Sequence, residues 1–391
     1  TLSAAEACEL LGIKPTTLYS YVSRGMIRSF DGNKGRDRSR KYVAEDVIAL
    51  VDRAERRRDP LRSAAEALDF GPPVLASALT DIQQGRLFYR GRDAAKLADS
   101  ETFERVAALL WADDPDQAAG LFEGIAMPPA PEDLPVMAAT EWLQAALVQA
   151  ATRDLRAVDQ TAEGIQAAGV RIIGVMAGAL GARATSGAGE GIATALARGW
   201  KSDPRTLNAA LILCADHELN PSSFTARVVA GTQATPYAAV IAALSALSGA
   251  RHGGHTARVS ALLREVGEPG RAARVISARL RRGEDLPGFG HVLYPEGDPR
   301  AAALLNMATE RFRHAPALLL AQAVAAEGLA LTGKRPNIDF ALVTLALAGD
   351  LPEDAALGLF ALGRTAGWIA HIIEQVSSGL MIRPRAHYTG K

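Results

Sequence analysis

From about residue 60 onward apolar residues recur at spacings of three and four almost without a break, Ala and Leu dominate, and alternating Val, Ile and Tyr are scarce. Such a chain buries its apolar side by packing helix on helix. Aromatic residues are only 5% of the sequence, so the helices are expected to approach closely on small side chains. Gly71-Pro72-Pro73, Met127-Pro128-Pro129, Glu268-Pro269-Gly270, Pro287-Gly288 and Asp350-Leu351-Pro352 interrupt the periodicity and predict turns between helices. With 391 residues, 48% hydrophobic and 22% charged, more than one core is expected and disorder along the whole chain is excluded.

Val228 to Ala250 is free of charge for 23 residues, the crude length of a membrane span. Thr232, Gln233, Thr235 and Pro236 break it, so a buried helix is expected and no membrane partner. The two cysteines, Cys8 and Cys214, suggest no disulfide framework, and both read as buried small hydrophobes. With no basic-then-apolar leader pattern at the N-terminus, a cytoplasmic location is expected.

Residues 1–62 read differently. Ser3-Ala4-Ala5-Glu6 has the form of a capping box, so a helix should start there and end near Gly12. Pro15 then suits the first position of a second short helix, Pro15 to Ser23, which carries Thr16, Thr17 and Tyr19. Between Arg24 and Lys41 seven basic residues face two acidic ones, with Gly32 and Gly35 as turn residues. That is the composition of a basic wing, and residues 44–58 predict a closing helix with Val47, Leu50 and Val51 on its apolar face. The zero net charge of the chain conceals this asymmetry: residues 1–62 hold 13 basic and 9 acidic residues, the remainder 30 and 34.

The pattern from Leu2 to Leu50 resembles the winged helix-turn-helix of the MerR or excisionase type. The resemblance implies base contacts from Thr16, Thr17 and Tyr19 on the second helix, phosphate contacts from Arg36, Arg38 and Arg40 in the wing, and double-stranded DNA as partner. A basic, solvated surface, or a vestigial domain used for protein contacts, is the alternative.

All seven histidines lie at or beyond residue 217. Three sit in polar, mostly glycine-flanked islands within apolar surroundings: Asp216-His217-Glu218-Leu219-Asn220, Arg251-His252-Gly253-Gly254 and Gly288-Phe289-Gly290-His291. Glycine beside a histidine lets a ligand or backbone come close, which a core histidine does not need. His252 and His255 are three apart, but the glycines between them disfavour a rigid two-histidine face and no third ligand is near in sequence, so no metal is expected. Ser186 to Gly191 lacks the glycine spacing of a dinucleotide loop and reads as a loop only.

The segment "SALTDIQQGRLFYRGRDAAKLADSETFERVAALLW" from Ser77 to Trp111, followed in order by "ADHELNPSSFTARVVAG", "HGG", "GFGHVLYPEGDPRA", "RPNIDF", "LFALGRTAGWIAHIIEQ" and "IRPRAHYTG", resembles the citrate synthase family. Residues 112–200 match only as helices. The resemblance implies an all-α homodimer of the citrate synthase fold behind the small winged domain. Its large domain would span 63–253 and 350–391, and its small domain, 254–349, would close over the substrates. It implies no bound cofactor, acetyl-CoA or propionyl-CoA as co-substrate, and oxaloacetate as acceptor.

It also implies roles. Asp339 would be the base, His252 a neutral donor to the thioester carbonyl and His291 a donor to the oxaloacetate ketone. Arg300 and Arg364 would clamp carboxylates, joined by Arg383 from the partner subunit and by His217, while Lys334 and Arg335 would meet coenzyme A. An alternative for Asp339 is a helix N-cap. Two positions depart from the family: His255-Thr256 stand where Ala-Asn usually follows His-Gly-Gly, and Pro295-Glu296 where a basic residue usually meets coenzyme A phosphates. Lys334, Arg335 and Arg258 are the cations available to compensate. Two functions remain open: a citrate or 2-methylcitrate synthase with an appended winged helix, or a regulator whose synthase-like body senses oxaloacetate or citrate with little turnover.

Overall fold

The computed structural model describes residues 1–31, 40–48, 50–51, 67–68, 70–71, 74–112, 120–128, 137–182 and 190–390. It falls into two compact units, Thr1–Ala76 and Ser77–Lys391. The boundary expected at residues 62/63 lies outside the described residues, and the units part at Ala76/Ser77 instead.

In the first unit, α1 (Ala4–Leu11) begins with the expected capping box: Glu6 N–H donates to Ser3 Oγ and Ser3 N–H to Glu6 Oε2. Gly12 ends it in the left-handed region at φ 62°, and Pro15 opens α2 (Pro15–Ser23). Strands β1 (Ser29–Asp31) and β2 (Arg40–Tyr42) pair antiparallel, with Ser29 opposite Tyr42 and Asp31 opposite Arg40. The tip between them, including Arg36 and Arg38, lies outside the described residues. Residues 44–48, 50 and 51 are helical; the rest of that expected helix is not described. A small core of Ala7, Leu18, Ile27, Tyr42 and Val47 holds the unit. Arg28 clips β1 to the third helix by a two-pronged bond to Asp46, at 2.9 Å on both prongs, and holds that carboxyl down at about 2. Cys8 is half-buried rather than buried; Cys214 is buried, and both are free thiols.

The second unit opens with an antiparallel meander, β3 (Thr80–Gln83), β4 (Arg86–Tyr89) and β5 (Arg92–Asp93), the only strands after residue 76 among the described residues. Then follow α3 (Ala94–Ser100), α4 (Phe103–Trp111), α5 (Ala139–Ala151), α6 (Ala162–Ala179), α7 (Ile192–Trp200), α8 (Pro204–Cys214) and α9 (Pro221–Ala230). The chain continues through α10 (Pro236–Leu247), α11 (His255–Val266), α12 (Ala272–Arg281), α13 (Pro299–Phe312), α14 (Pro316–Thr332), α15 (Ile338–Ala348) and α16 (Ala355–Ser377). The Pro-Gly punctuation holds where it is described: residues 269–271 form a 3-10 turn between α11 and α12, and 349–354 separate α15 from α16. The charge-free stretch is no single span, because α9 ends at Ala230 and Pro236 starts α10.

Helix α16 is the axis of this unit, packing against α4, α6, α8 and α9. It is long and apolar enough to cross a membrane, yet 89% of its most apolar window is buried in the protein, so helices occupy the surface a bilayer would need. Gly367 is required where it stands: a Cβ there would lie 2.4 Å from both the Ala215 carbonyl oxygen and Asp216 Oδ1. The absence of a side chain lets the segment leaving α8 lie directly on α16.

Candidate active site

Segment 214–217, at the exit of α8, is fixed residue by residue to one face of α16. Arg364 Nε donates to the Cys214 carbonyl at 2.6 Å, Gly367 N–H to the Ala215 carbonyl at 2.9 Å, and His371 Nε2 lies 3.3 Å from Asp216 Oδ1. Positions 364, 367 and 371 share a face because a helix repeats every 3.6 residues. From β4, Tyr89 braces the same segment, its hydroxyl donating to the Ile212 carbonyl at 3.0 Å. The result is a fixed His217, whose Nε2 is 2.9 Å from the Tyr294 hydroxyl and whose ring meets His291 edge-on at 5.1 Å.

The other two islands converge here. His252 lies in the turn between α10 and α11, where Gly253 N–H donates to Leu247 O; a Cβ at Gly253 would come within 2.5 Å of that oxygen. His252 Nε2 is 2.9 Å from Ser222 Oγ, which accepts from Trp368 Nε1 at 3.2 Å and donates to Asn220 Oδ1 at 2.7 Å. His291 Nδ1 accepts from Leu293 N–H at 3.1 Å, which assigns the ring proton to Nε2 and makes that nitrogen a donor.

All three imidazoles are held neutral. Burial, then the Arg364 charge, pulls His252 down to about 4; burial, then Arg300, pulls His291 to about 4. His217 falls well below its ordinary value through burial and the charges of Arg300 and Arg364. They are therefore hydrogen-bonding groups, not cations, at neutral pH.

Asp339 is in the first turn of α15. It is not the N-cap: Asn337 takes that place, its Oδ1 accepting from Asp339 N–H and Phe340 N–H. The Asp339 carboxyl is left free of capping, and burial raises it to about 7 against the pull of Arg300. The two arginines differ in their partners. Arg300 is already forked onto Asp298, Nε to Oδ1 at 2.9 Å and Nη2 to Oδ2 at 2.8 Å, which leaves one edge, Nη1, for a ligand. Arg364 is buried over the Phe360 ring, 4.9 Å from its centroid, with no carboxylate in ion-pair distance among the described residues.

Arg383 lies exposed in the extended segment after α16 and makes no hydrogen bond or ion pair among the described residues. Lys334 and Arg335 are exposed beside a loop pairing in which Gly290 N–H donates to Arg335 O at 2.8 Å. Lys334 also lines a cavity of about 250 Å³ with His255, Asp285, Phe289 and Asn337. Arg258, the third cation offered by the sequence, is engaged with Asp285 at 2.7 Å. Residue spacing had not singled out Ser222, Tyr294, Asp298, Asn337 and Trp368. Tyr294 and Asp298 stand inside the "GFGHVLYPEGDPRA" block, a signal that was present; the Trp368–Ser222–His252 chain joins residues 146 and 30 apart in sequence.

Comparison with known proteins decides the family. The family model described as citrate synthase, C-terminal domain, matches residues 70–385. The chain belongs to the citrate synthase family. A helix-turn-helix domain model matches residues 1–54. Among curated relatives, citrate synthase 2 of Bacillus subtilis is 40% identical over 187 residues, covering 47% of this chain and 50% of that protein. The 2-methylcitrate synthase 1 of Corynebacterium glutamicum is 34% identical over 191 residues, covering 48% and 50%. The chain thus spans about half the length of the curated relatives it matches. The solved citrate synthase of Thermotoga maritima aligns with TM-score 0.69 and 25% identity over 82% of this chain and 94% of that one. That of Thermoplasma acidophilum, a ternary complex with carboxymethyl coenzyme A and oxaloacetate, aligns with TM-score 0.72 and 24% identity over the same shares. The fold is the all-α citrate synthase fold behind a helix-turn-helix unit.

The raised Asp339 has a consequence for stability. Unfolded, its carboxyl ionises near 3.8; folded, near 7. Between these values only the unfolded chain gives up the proton, so stability falls as pH rises and the loss is complete above about 7. Asp339→Asn is expected to match wild type near pH 4 and to be increasingly the more stable of the two toward pH 8. Urea unfolding followed by tryptophan fluorescence reads this directly, since all four tryptophans lie in Ser77–Lys391. A constant gap across that range contradicts the assignment.

Proposed function

We propose that this chain condenses an acyl-CoA thioester, acetyl-CoA or propionyl-CoA, with oxaloacetate, giving citrate or 2-methylcitrate and free CoA. The observation that carries the reading is Arg364: a buried guanidinium with no carboxylate partner among the described residues, whose charge acts on the neutral imidazoles of His217 and His252 and on a carboxyl of pKa about 7. A buried cation is costly unless paired, and a dianionic substrate supplies the missing charge. Arg364, the open edge of Arg300 and His217 would hold oxaloacetate, with Arg383 of the partner subunit completing the site.

Asp339 takes the α-proton of the thioester. His252, whose Nε2 lies 2.9 Å from the Ser222 hydroxyl, would donate to the thioester carbonyl and stabilise the enolate oxygen. His291 Nε2–H donates to the ketone oxygen of oxaloacetate, drawing electrons from the carbon that the enolate attacks. Water then cleaves the thioester and CoA leaves with a proton. Residues 254–349 would form the smaller lobe that closes over the substrates; Lys334, which lines its cavity, and Arg335 next to it in sequence would meet the coenzyme.

A second reading is favoured by the first unit, where Thr16, Tyr19 and Arg40 are exposed on the helix-turn-helix and its strand pair, with Thr17 half-buried beside them. There α2 would read duplex DNA in the major groove and the β1–β2 hairpin would meet phosphates. A chain that binds DNA and oxaloacetate without turnover would be a sensor.

Thiol release from acetyl-CoA or propionyl-CoA in the presence of oxaloacetate decides between enzyme and sensor. Wild type is expected to release thiol with an acid limb near pH 7, and Asp339→Ala to lose at least about a hundredfold in kcat, the usual scale for a general base. Wild type no faster than Asp339→Ala would overturn the enzyme reading. For DNA, duplex binding is expected to weaken steeply with salt and to vanish when residues 1–76 are removed. Binding that survives this deletion would overturn the assignment to the first unit.

A further inference from the structure

Behind Arg364 lies a second buried pair that the chemistry above does not use. Asp216 and His371 are both fully buried. One carboxylate oxygen of Asp216, Oδ2, accepts from the Thr80 hydroxyl at 2.5 Å. The other, Oδ1, lies 3.3 Å from His371 Nε2 in a contact too bent to count as a hydrogen bond. Among the described residues neither ring nitrogen of His371 has a hydrogen-bond partner. On the remaining side the carboxylate rests against Gly367, where any side chain would displace it.

Asp216 is two residues from the Cys214 carbonyl that holds Arg364 Nε, and it is the foremost anion acting on Arg364. Yet it makes no ion pair with that guanidinium. A carboxylate this close in a dry interior would be strongly drawn onto the arginine. The groups that stand against its two oxygens are the Thr80 hydroxyl from β3 and the His371 ring from α16.

We infer that His371 and Thr80 are positioning residues that hold Asp216 off Arg364, so that Asp216 offsets part of the buried positive charge while the outer face of the guanidinium stays open for the carboxylate of a dianionic acid. The arrangement resolves a conflict: a lone buried cation is destabilising, whereas a directly paired one cannot bind an anion without first breaking its own ion pair. Around the pair the charged and titratable groups are Arg364 on α16, Cys214, His217 and Glu218 on the segment and just beyond it, and Tyr89 on β4.

This inference rests on the proposed oxaloacetate site and is tested by calorimetric titration of oxaloacetate into the full chain. His371→Leu removes the ring that stands against Oδ1 of Asp216, the carboxylate can then turn toward Arg364, and the Kd is expected to rise about tenfold or more. Adding Asp216→Asn to that variant removes the competing charge and is expected to bring the Kd back toward wild type. A purely structural role predicts the reverse, since the double variant has lost more contacts than the single one. Thr80→Val, which frees the other oxygen, supplies the same comparison if His371→Leu does not fold. An unchanged Kd in the single variant, or no recovery in the double, overturns the inference while leaving the substrate assignment in place. No binding to wild type overturns the substrate assignment and this inference with it.

Discussion

The register between α16 and the segment leaving α8 is the constraint on which the site depends. Three positions on one helix face, Arg364, Gly367 and His371, meet three consecutive residues, Cys214, Ala215 and Asp216. One residue further along the segment is His217, and on the same helix Trp368 reaches Ser222 and through it His252. A shift of α16 by one residue would turn this face by about 100° and misplace Arg364 and two imidazoles together. The helix is accordingly buried along nearly its whole length and carries glycine where the backbones touch.

Charge is handled in the same economical way. Among His217, His252, His291, Asp339, Arg300 and Arg364, burial favours the neutral form of each imidazole and of the acid at slightly acidic pH. Arg300 is compensated in place: burial pushes Asp298 up, but the Arg300 cation more than offsets this, and the pair is further tied by Ile338 N–H donating to Asp298 Oδ2 at 3.0 Å. That bond also ties the Asp298–Arg300 pair to the start of α15, the helix that carries Asp339. Arg364 alone keeps its charge unpaired, which is why the binding of an anion there is the natural completion of the fold.

Local rules made much of this legible. The capping box at Ser3, the Gly12 stop and the Pro15 start reproduce α1 and α2, because each is decided within a few residues. Glycine-flanked histidines marked the site, since close backbone approach is a local need that glycine alone meets. What spacing could not show are pairings across the fold. Nothing near Arg300 in the periodicity says that its fork is spent on Asp298, and nothing near His371 says that it faces Asp216, 155 residues earlier. The strands at 80–93 were hidden for a related reason: they are short, and Tyr89 earns its burial only against the end of α8. The family resemblance brought the catalytic assignments; the geometry adds which atoms are free to act.

The central claim is that Arg364 is the open anion site, with His291 Nε2 as the ketone donor. A crystal structure of the full chain with oxaloacetate bound tests it most directly. The account requires a substrate carboxylate within hydrogen-bond distance of the Arg364 Nη atoms and the ketone oxygen on His291 Nε2. Oxaloacetate held elsewhere, or an Arg364 turned onto Asp216 in the complex, would contradict it.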